Sequence, residues 1–395
     1  VKTKKIISIY VSGFLVGIAL VLFPAAGNLF VDPQYHGFSS AQYGSIFIPQ
    51  IVFAIVSSLS APKIAQKKGM KTVMRYGQFS ILLSMLLLMA SNWLMEGNVD
   101  YWAILFATGF LGIGFGFTIT ALNPFAYNLF PGKETSAVTA MHIMLGLGTA
   151  SAALFLNAFL EAGFWWGAPL VVAAVVFIIW IFTLPLTLSL PDADDKQENK
   201  TKRKIPGRII LYILVVFLYG TCEATFGNFG AVFLEKEGGL STAKAALGLS
   251  LFWGGITVGR LLFTFIALRF SSEWLYGIAP FLVAIVFFLL PSAHSEPFLL
   301  ACMALGGLGC SILFPNSISS ATEGFPKYAA LISGSLVAAI QLGTGFSSNI
   351  IGMLNENYTL SSLFQFSTIY ALVLGTLITF LIFTKTKKEG HGQLS

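Results

Sequence analysis

Twelve stretches of this chain are too long, too apolar and too poor in charge to present a wetted side, and that feature leaves few folds open. The residues from Ile6 to Phe30 and from Gly163 to Leu190 are two of them. Hydrocarbon holds no water, so a backbone that enters it must satisfy its own N–H and C=O groups, as a helix or a closed barrel does. About 20 apolar residues cross a bilayer as a helix. By that measure the spans fall near 6–31, 40–61, 73–93, 101–129, 136–160, 164–190, 208–235, 242–267, 274–292, 297–320, 328–354 and 361–384. Only 10% of the residues are charged, against about 25% in soluble domains. The expected class is an all-α membrane protein of twelve transmembrane helices. The opening "VKTKK" has the look of a signal-peptide n-region, but the apolar run after it exceeds an h-region of roughly 7–15 residues. It is read as span one.

The basic residues set an expected orientation. With both termini in the cytoplasm, 20 of the 23 Lys and Arg fall on that side: Lys2, Lys4 and Lys5, the five from Lys63 to Arg75, Lys133, the six from Lys196 to Arg208, Arg269, Lys327, and three after residue 384. The opposite side receives Lys236 and Lys244, and Arg260 falls inside a span. That split follows the positive-inside rule for a multi-pass protein of the cytoplasmic (inner) membrane. The net charge of +6 therefore calls for no nucleic-acid partner. Cys222, Cys302 and Cys310 lie in apolar runs without C-x-x-C spacing, and read as buried thiols with no disulfide framework and no metal site.

The longest polar stretch, "PDADDKQENKTKRKIPG", divides the chain almost evenly. The expected domains are 1–190, a six-helix bundle; 191–207, a flexible cytoplasmic linker; and 208–395, a second six-helix bundle with a short cytoplasmic tail. The halves repeat. "GFSSAQ" ahead of span two matches "GLSTAK" ahead of span eight, each with a hydroxyl placed to cap a helix start. At an offset of 195, Phe130-Pro131 meets Phe325-Pro326, "LGT" at 147 meets "LGT" at 342, and Gly112 and Gly114 meet Gly307 and Gly309. Six plus six helices, a central linker and a repeat of halves resemble the major facilitator superfamily. The loop after span two, "PKIAQKKGMK", resembles a degenerate form of that superfamily's signature, with Pro62 and Gln66 where a glycine and an aspartate are usual. Lys67 and Gly69 of this loop, with Arg260, are the candidate gating residues.

Three segments resemble the fucose:proton symporter family of sugar transporters within it. These are "TALNPF" at Thr120–Phe125 in span four, "SLFWGGITVGR" at Ser250–Arg260 in span eight, and the span-seven acid Glu223 followed by small residues and an outer-loop "GLS". The family's carboxylates of spans one and four correspond to Leu20 and Ile119 here, and its span-five glutamine to His142. Coupling through the two missing acids is therefore closed to this chain.

Intramembrane polar side chains face a cavity or one another. Glu223 is the acid placed deep in a span, and Tyr219, Gly220, Phe226 and Gly227 share its stripe, which reads as a cavity wall. The candidate substrate-binding residues are Asn28, Gln50, Asn123, His142, Tyr219, Glu223, Trp253, Asn316 and Gln341. The candidate ion-coupling residues are Glu223 and His142. Any one of these amides could instead hold helices together. Taken together, amides and hydroxyls with few charges and some rings suit a neutral polyhydroxylated solute. Arg260, about 13 Å from its helix end against roughly 22 Å for Glu223, is not expected to meet Glu223 directly. No Walker loop, H-E-x-x-H or G-x-S-x-G turn is present. The expected function is secondary transport of a small neutral solute, such as a monosaccharide, by alternating access at a midplane site between the halves, with a proton or Na⁺ as coupling ion, no cofactor, and a monomer as the working unit. Efflux of drugs or metabolites and uncoupled uniport are the alternatives.

Overall fold

The computed structural model describes residues 2–95, 97–188, 206–266, 269 and 272–389. Contacts divide the chain into two compact units, Val1–Lys202 and Arg203–Ser395. The expected 191–207 linker, apart from Pro206 and Gly207, lies outside the described residues. Unit one holds spans one to six: Lys2–Ala25 with Gly27–Val31, Ser40–Ser45 with Phe47–Lys68, Met70–Ala90, Val99–Leu129, Glu134–Glu161 and Gly167–Thr183. Unit two holds spans seven to twelve: Gly207–Lys236, Thr242–Ile266, Ser272–Leu289, Glu296–Cys310 with Leu313–Gly324, Ala329–Leu354 and Leu360–Glu389.

Eleven of these spans are long and apolar enough to cross a membrane. Span six differs from the expected 164–190: its helix has 17 residues. Gly163, at φ +84°, turns the chain just before it. Leu184 keeps a helical conformation and its N–H bonds to Ile181 O at 3.0 Å, but Pro185 has no N–H to carry the ladder on, so the helix stops at Thr183. Proline also explains the break in span ten. Pro315 cannot donate to the carbonyl of Ser311, four residues back, and the helix parts between Cys310 and Leu313. In span one the break at Ala26 follows Pro24.

Within each unit the helices meet backbone to backbone at glycines, and the two units use the same positions. A Cβ on Gly17 would lie 2.1 Å from the Leu145 carbonyl, and one on Gly148 would lie 2.1 Å from the Phe14 carbonyl, locking span one to span five. Spans seven and eleven repeat this with Gly220 at 2.4 Å from Ile340 O and Gly343 at 2.0 Å from Phe217 O. Gly112 likewise sits on Gln50 O at 2.1 Å, and Gly307 on Phe252 O at 2.0 Å. Gly148 and Gly343, Leu145 and Ile340, and Gly112 and Gly307 all stand 195 positions apart. The repeat is thus one of packing, because only hydrogen in place of a side chain lets two helix backbones come this close. The turns ahead of spans two and eight repeat too, with Gly37 at φ +63° and Gly239 at φ +69°. Ser39 and Gln42 form a full capping box, and Ser241 accepts from Lys244 N at 3.4 Å.

Candidate functional site

In unit one the structure brings Asn123 and His142 together. Asn123 Nδ2 donates to the Ile119 carbonyl at 3.1 Å, in the turn before Pro124. That carbonyl can only accept, so the amide oxygen is left for His142, whose Nε2 stands 3.1 Å away and must carry the hydrogen. Both side chains are half-buried. Gln50 is held by the Gly112 contact, is 8% exposed, and its buried Oε1 has no partner. Asn28 is buried in the short helix Gly27–Val31. Gly69, at φ +81°, is the one-residue joint between Phe47–Lys68 and Met70–Ala90, a conformation side chains resist. Lys67 is exposed beside it.

In unit two the stripe around Glu223 divides differently from the expected cavity wall. Phe226 is fully buried, stacked 4.2 Å from Phe287 and 5.3 Å from Phe252, with Gly306 under its ring. Gly220 is taken up by the span-eleven backbone. Both are packing positions, because span seven is surrounded by spans eight, ten, eleven and twelve of its own unit. Tyr219 is also fully buried; its hydroxyl donates to Glu223 and its ring stacks on Phe314 at 6.3 Å. Glu223 itself is half-buried. Trp253 lies against Gly227, where a Cβ would be 3.0 Å from the indole, and its buried Nε1 has no acceptor. Asn316, one residue past the proline break, has a buried Nδ2 with no acceptor. Gln341 is half-buried next to the Gly220 contact. Arg260 Nε donates to Ser311 O at 3.3 Å, the carbonyl that Pro315 leaves unbonded, and its charge is within electrostatic reach of Glu223.

Polar groups that sequence reading passed over are also placed. Ser8, Ser12, Gln78 and Thr183 form a buried network in unit one. Thr225, Ser347 and Tyr370 form another in unit two, beside Asn228 and Ser348. In the loop between spans one and two, His36 Nδ1 meets Oδ2 of Asp100, in the first turn of span four, at 2.8 Å with both side chains buried. The His36 pKa is lowered by burial among Phe30, Phe38 and Trp165, against the opposing pull of Asp100. The nearest signals in the sequence were serines four apart and a lone glutamine in an apolar run. Among the described residues no cluster of metal-ligating side chains forms.

The twelve-helix, doubled architecture is matched by the family model described as Major Facilitator Superfamily, over residues 6–272 and again over 211–394. The chain belongs to the Major Facilitator Superfamily. It is a multi-pass membrane protein and not an enzyme. Superfamily relatives include the glucose/mannose transporter GlcP of Bacillus subtilis, 24% identical over 77% of this chain and 79% of that one. A glucose/galactose transporter of Brucella abortus is 29% identical over 38% of this chain and 36% of its own length. A putative glucose/galactose transporter of Helicobacter pylori is 26% identical over 56% of this chain and 58% of its own. Among solved structures, a D-xylose-proton symporter superposes with a TM-score of 0.77, at 16% identity, over 96% of this chain and 97% of that one. The nucleoside transporter NupG gives 0.73 at 17% identity, over 96% and 99%. At those identities the structures show the superfamily fold alone.

Proposed function

We propose that this protein is a secondary transporter of a neutral monosaccharide, working as a monomer by alternating access in the cytoplasmic membrane, with both termini in the cytoplasm. The observation that carries the reading is that each unit, taken by itself, holds buried hydrogen-bonding atoms left without protein partners. Gln50 Oε1 is an acceptor lacking a donor, and Trp253 Nε1 and Asn316 Nδ2 are donors lacking acceptors. Leaving such atoms bare costs about 1–3 kcal/mol each, and sugar hydroxyls, each both donor and acceptor, satisfy them equally well. Trp253 is proposed to supply the aromatic surface on which a sugar ring packs. The names of the curated relatives, three of them glucose or galactose transporters, support the substrate class. The Asn123–His142 pair and Gln341 extend the polar set, and Lys67, Gly69 and Arg260 are proposed gating residues.

Coupling to a proton or Na⁺ is proposed to run through Glu223, which holds the buried Tyr219 hydroxyl and is itself half-buried. His142 is the second candidate. The test is sugar binding to purified protein by calorimetry. Asn316→Ala and Gln50→Leu should each weaken D-glucose or D-galactose binding by roughly 5- to 150-fold, the equivalent of one lost buried hydrogen bond. If both variants bind every sugar as the parent does, or only hydrophobic cations bind, the reading is wrong.

A further inference from the structure

One end of the paired spans three and six carries a row of cations above a column of rings. On Met70–Ala90, Lys71, Arg75 and Phe79 recur every four residues and share one stripe. On Gly167–Thr183 and the residue after it, Phe177, Trp180, Ile181 and Leu184 share another. The two stripes lie side by side. Lys71 Nζ donates to the Leu184 carbonyl at 2.7 Å, and the Arg75 guanidinium is 5.3 Å from the centre of the Trp180 ring. That ring is 5.8 Å from Phe79 and 6.3 Å from Phe177. Lys68, the last residue of the span-two helix, adds a third cation; it donates to the Tyr76 hydroxyl at 3.3 Å. Phe79, Phe177, Ile181 and Leu184 are all exposed.

This order suits one kind of molecule. From Lys71 to Phe79 is eight residues, about 12 Å of helix, and along it the surface passes from cations through an indole to apolar rings. A phospholipid changes in the same order, from phosphate through glycerol to acyl chain, and Trp and Tyr favour the level between. The Lys71 ammonium keeps two hydrogens beyond its bond to Leu184, and stacking on an indole consumes none of the N–H donors of Arg75. Two cations four residues apart repel each other, and an anion between them relieves that. Among the described residues the ion pairs are His36–Asp100 and Lys244–Glu296, and neither involves these cations.

Unit two shows that the fold does not require them. Gly114 packs on Gly77 O and Ile81 as Gly309 packs on Ala279 O and Val283, so span nine follows span three at an offset of 202. At that offset Lys71 and Arg75 become Glu273 and Gly277, while Phe79 becomes Phe281, again an exposed ring. The ring is common to both units; the cations belong to unit one.

We propose that this face binds an anionic phospholipid, with its phosphate between Lys71 and Arg75, Lys68 nearby, and an acyl chain along Trp180, Phe79 and Phe177. None of these residues is among the proposed sugar, coupling or gating residues, so the site stands or falls independently of them.

The test uses the full purified chain in mixed micelles containing brominated phosphatidylglycerol or brominated phosphatidylcholine, whose bromines quench a nearby indole. The Trp180 share of the quenching is the difference between each protein and its Trp180→Phe counterpart. A cation near an anionic lipid surface favours binding roughly fivefold, so Lys71 and Arg75 together should give phosphatidylglycerol about a 25-fold preference at Trp180. Lys71→Gln/Arg75→Gln should abolish that preference, and the charge-matched Lys4→Gln/Lys5→Gln should keep it. If the double variant does not fold, the single variants should each lose about fivefold. Equal quenching by both lipids in the parent overturns the proposal, as does a preference that survives in Lys71→Gln/Arg75→Gln or falls equally in Lys4→Gln/Lys5→Gln. A preference removed by inorganic phosphate, but not by NaCl of equal ionic strength, also overturns it and assigns the cations to a soluble phosphate.

Discussion

Replacing Gly148 or Gly343 with alanine tests whether backbone-to-backbone packing holds each unit together. The added Cβ would sit 2.1 Å from Phe14 O in one case and 2.0 Å from Phe217 O in the other. Ordinary contact begins near 3.4 Å, so the helices must part by more than 1 Å where they touch. Overpacking costs about 1–3 kcal/mol when side chains can yield; a carbonyl fixed in a helix cannot rotate away, which places these sites at the upper end. Removing a helical glycine returns about 1 kcal/mol of propensity. The net loss is about 2 kcal/mol, or roughly 4–8 °C in the unfolding midpoint of a unit of about 200 residues. A Cβ added at Gly334, in the same helix as Gly343, would meet nothing within 4 Å, and Gly334→Ala should leave the midpoint unchanged or raise it by a few degrees. The assay is thermal unfolding in detergent, followed by intrinsic fluorescence. If Gly148→Ala and Gly343→Ala are as stable as Gly334→Ala, backbone contact at these glycines is not what holds the units together.

Two further outcomes follow from charged groups outside the bilayer core. His36 has a pKa below its ordinary value of 6.5 because it is buried. The unfolded chain therefore takes up its proton first on acidification, and stability should fall as pH drops below about 6.5; His36→Gln should flatten that slope in midpoints recorded from pH 7.5 to 5.0, and an unchanged slope would clear His36. The orientation predicts that a single cysteine at Lys200 is labelled by membrane-impermeant maleimide only after cells are opened, whereas one at Asn355 is labelled in intact cells; the opposite pattern would invert the topology.

Much of the fold was legible in the sequence because a bilayer imposes its demands on every residue of a span. Twelve apolar runs and the 195-residue offset point to the observed helices, and Gly112, Gly148, Gly307 and Gly343 occupy equivalent contacts. What apolar runs do not mark is where a helix gives way inside one. Span six ends at Thr183, ahead of Pro185, although the residues up to Leu190 remain apolar. The site was less legible, since spacing on one helix says which residues share a face but not what lies opposite. Phe226 shares a stripe with Glu223 and still belongs to the aromatic core. The pairing of Asn123 with His142 joins two spans, and Ser311 O, which accepts from Arg260, is a carbonyl that Pro315 leaves without its helical donor.

The measurement that bears most directly on the account is D-glucose accumulation in proteoliposomes of the purified chain under an imposed inward proton or Na⁺ gradient, with Glu223→Gln run beside the parent. The parent should concentrate the sugar, and the variant should exchange labelled for unlabelled glucose at near-parent rates yet reach no more than the outside concentration. A parent that moves no sugar under any gradient contradicts the substrate claim, and a variant that accumulates glucose as the parent does removes Glu223 from the coupling.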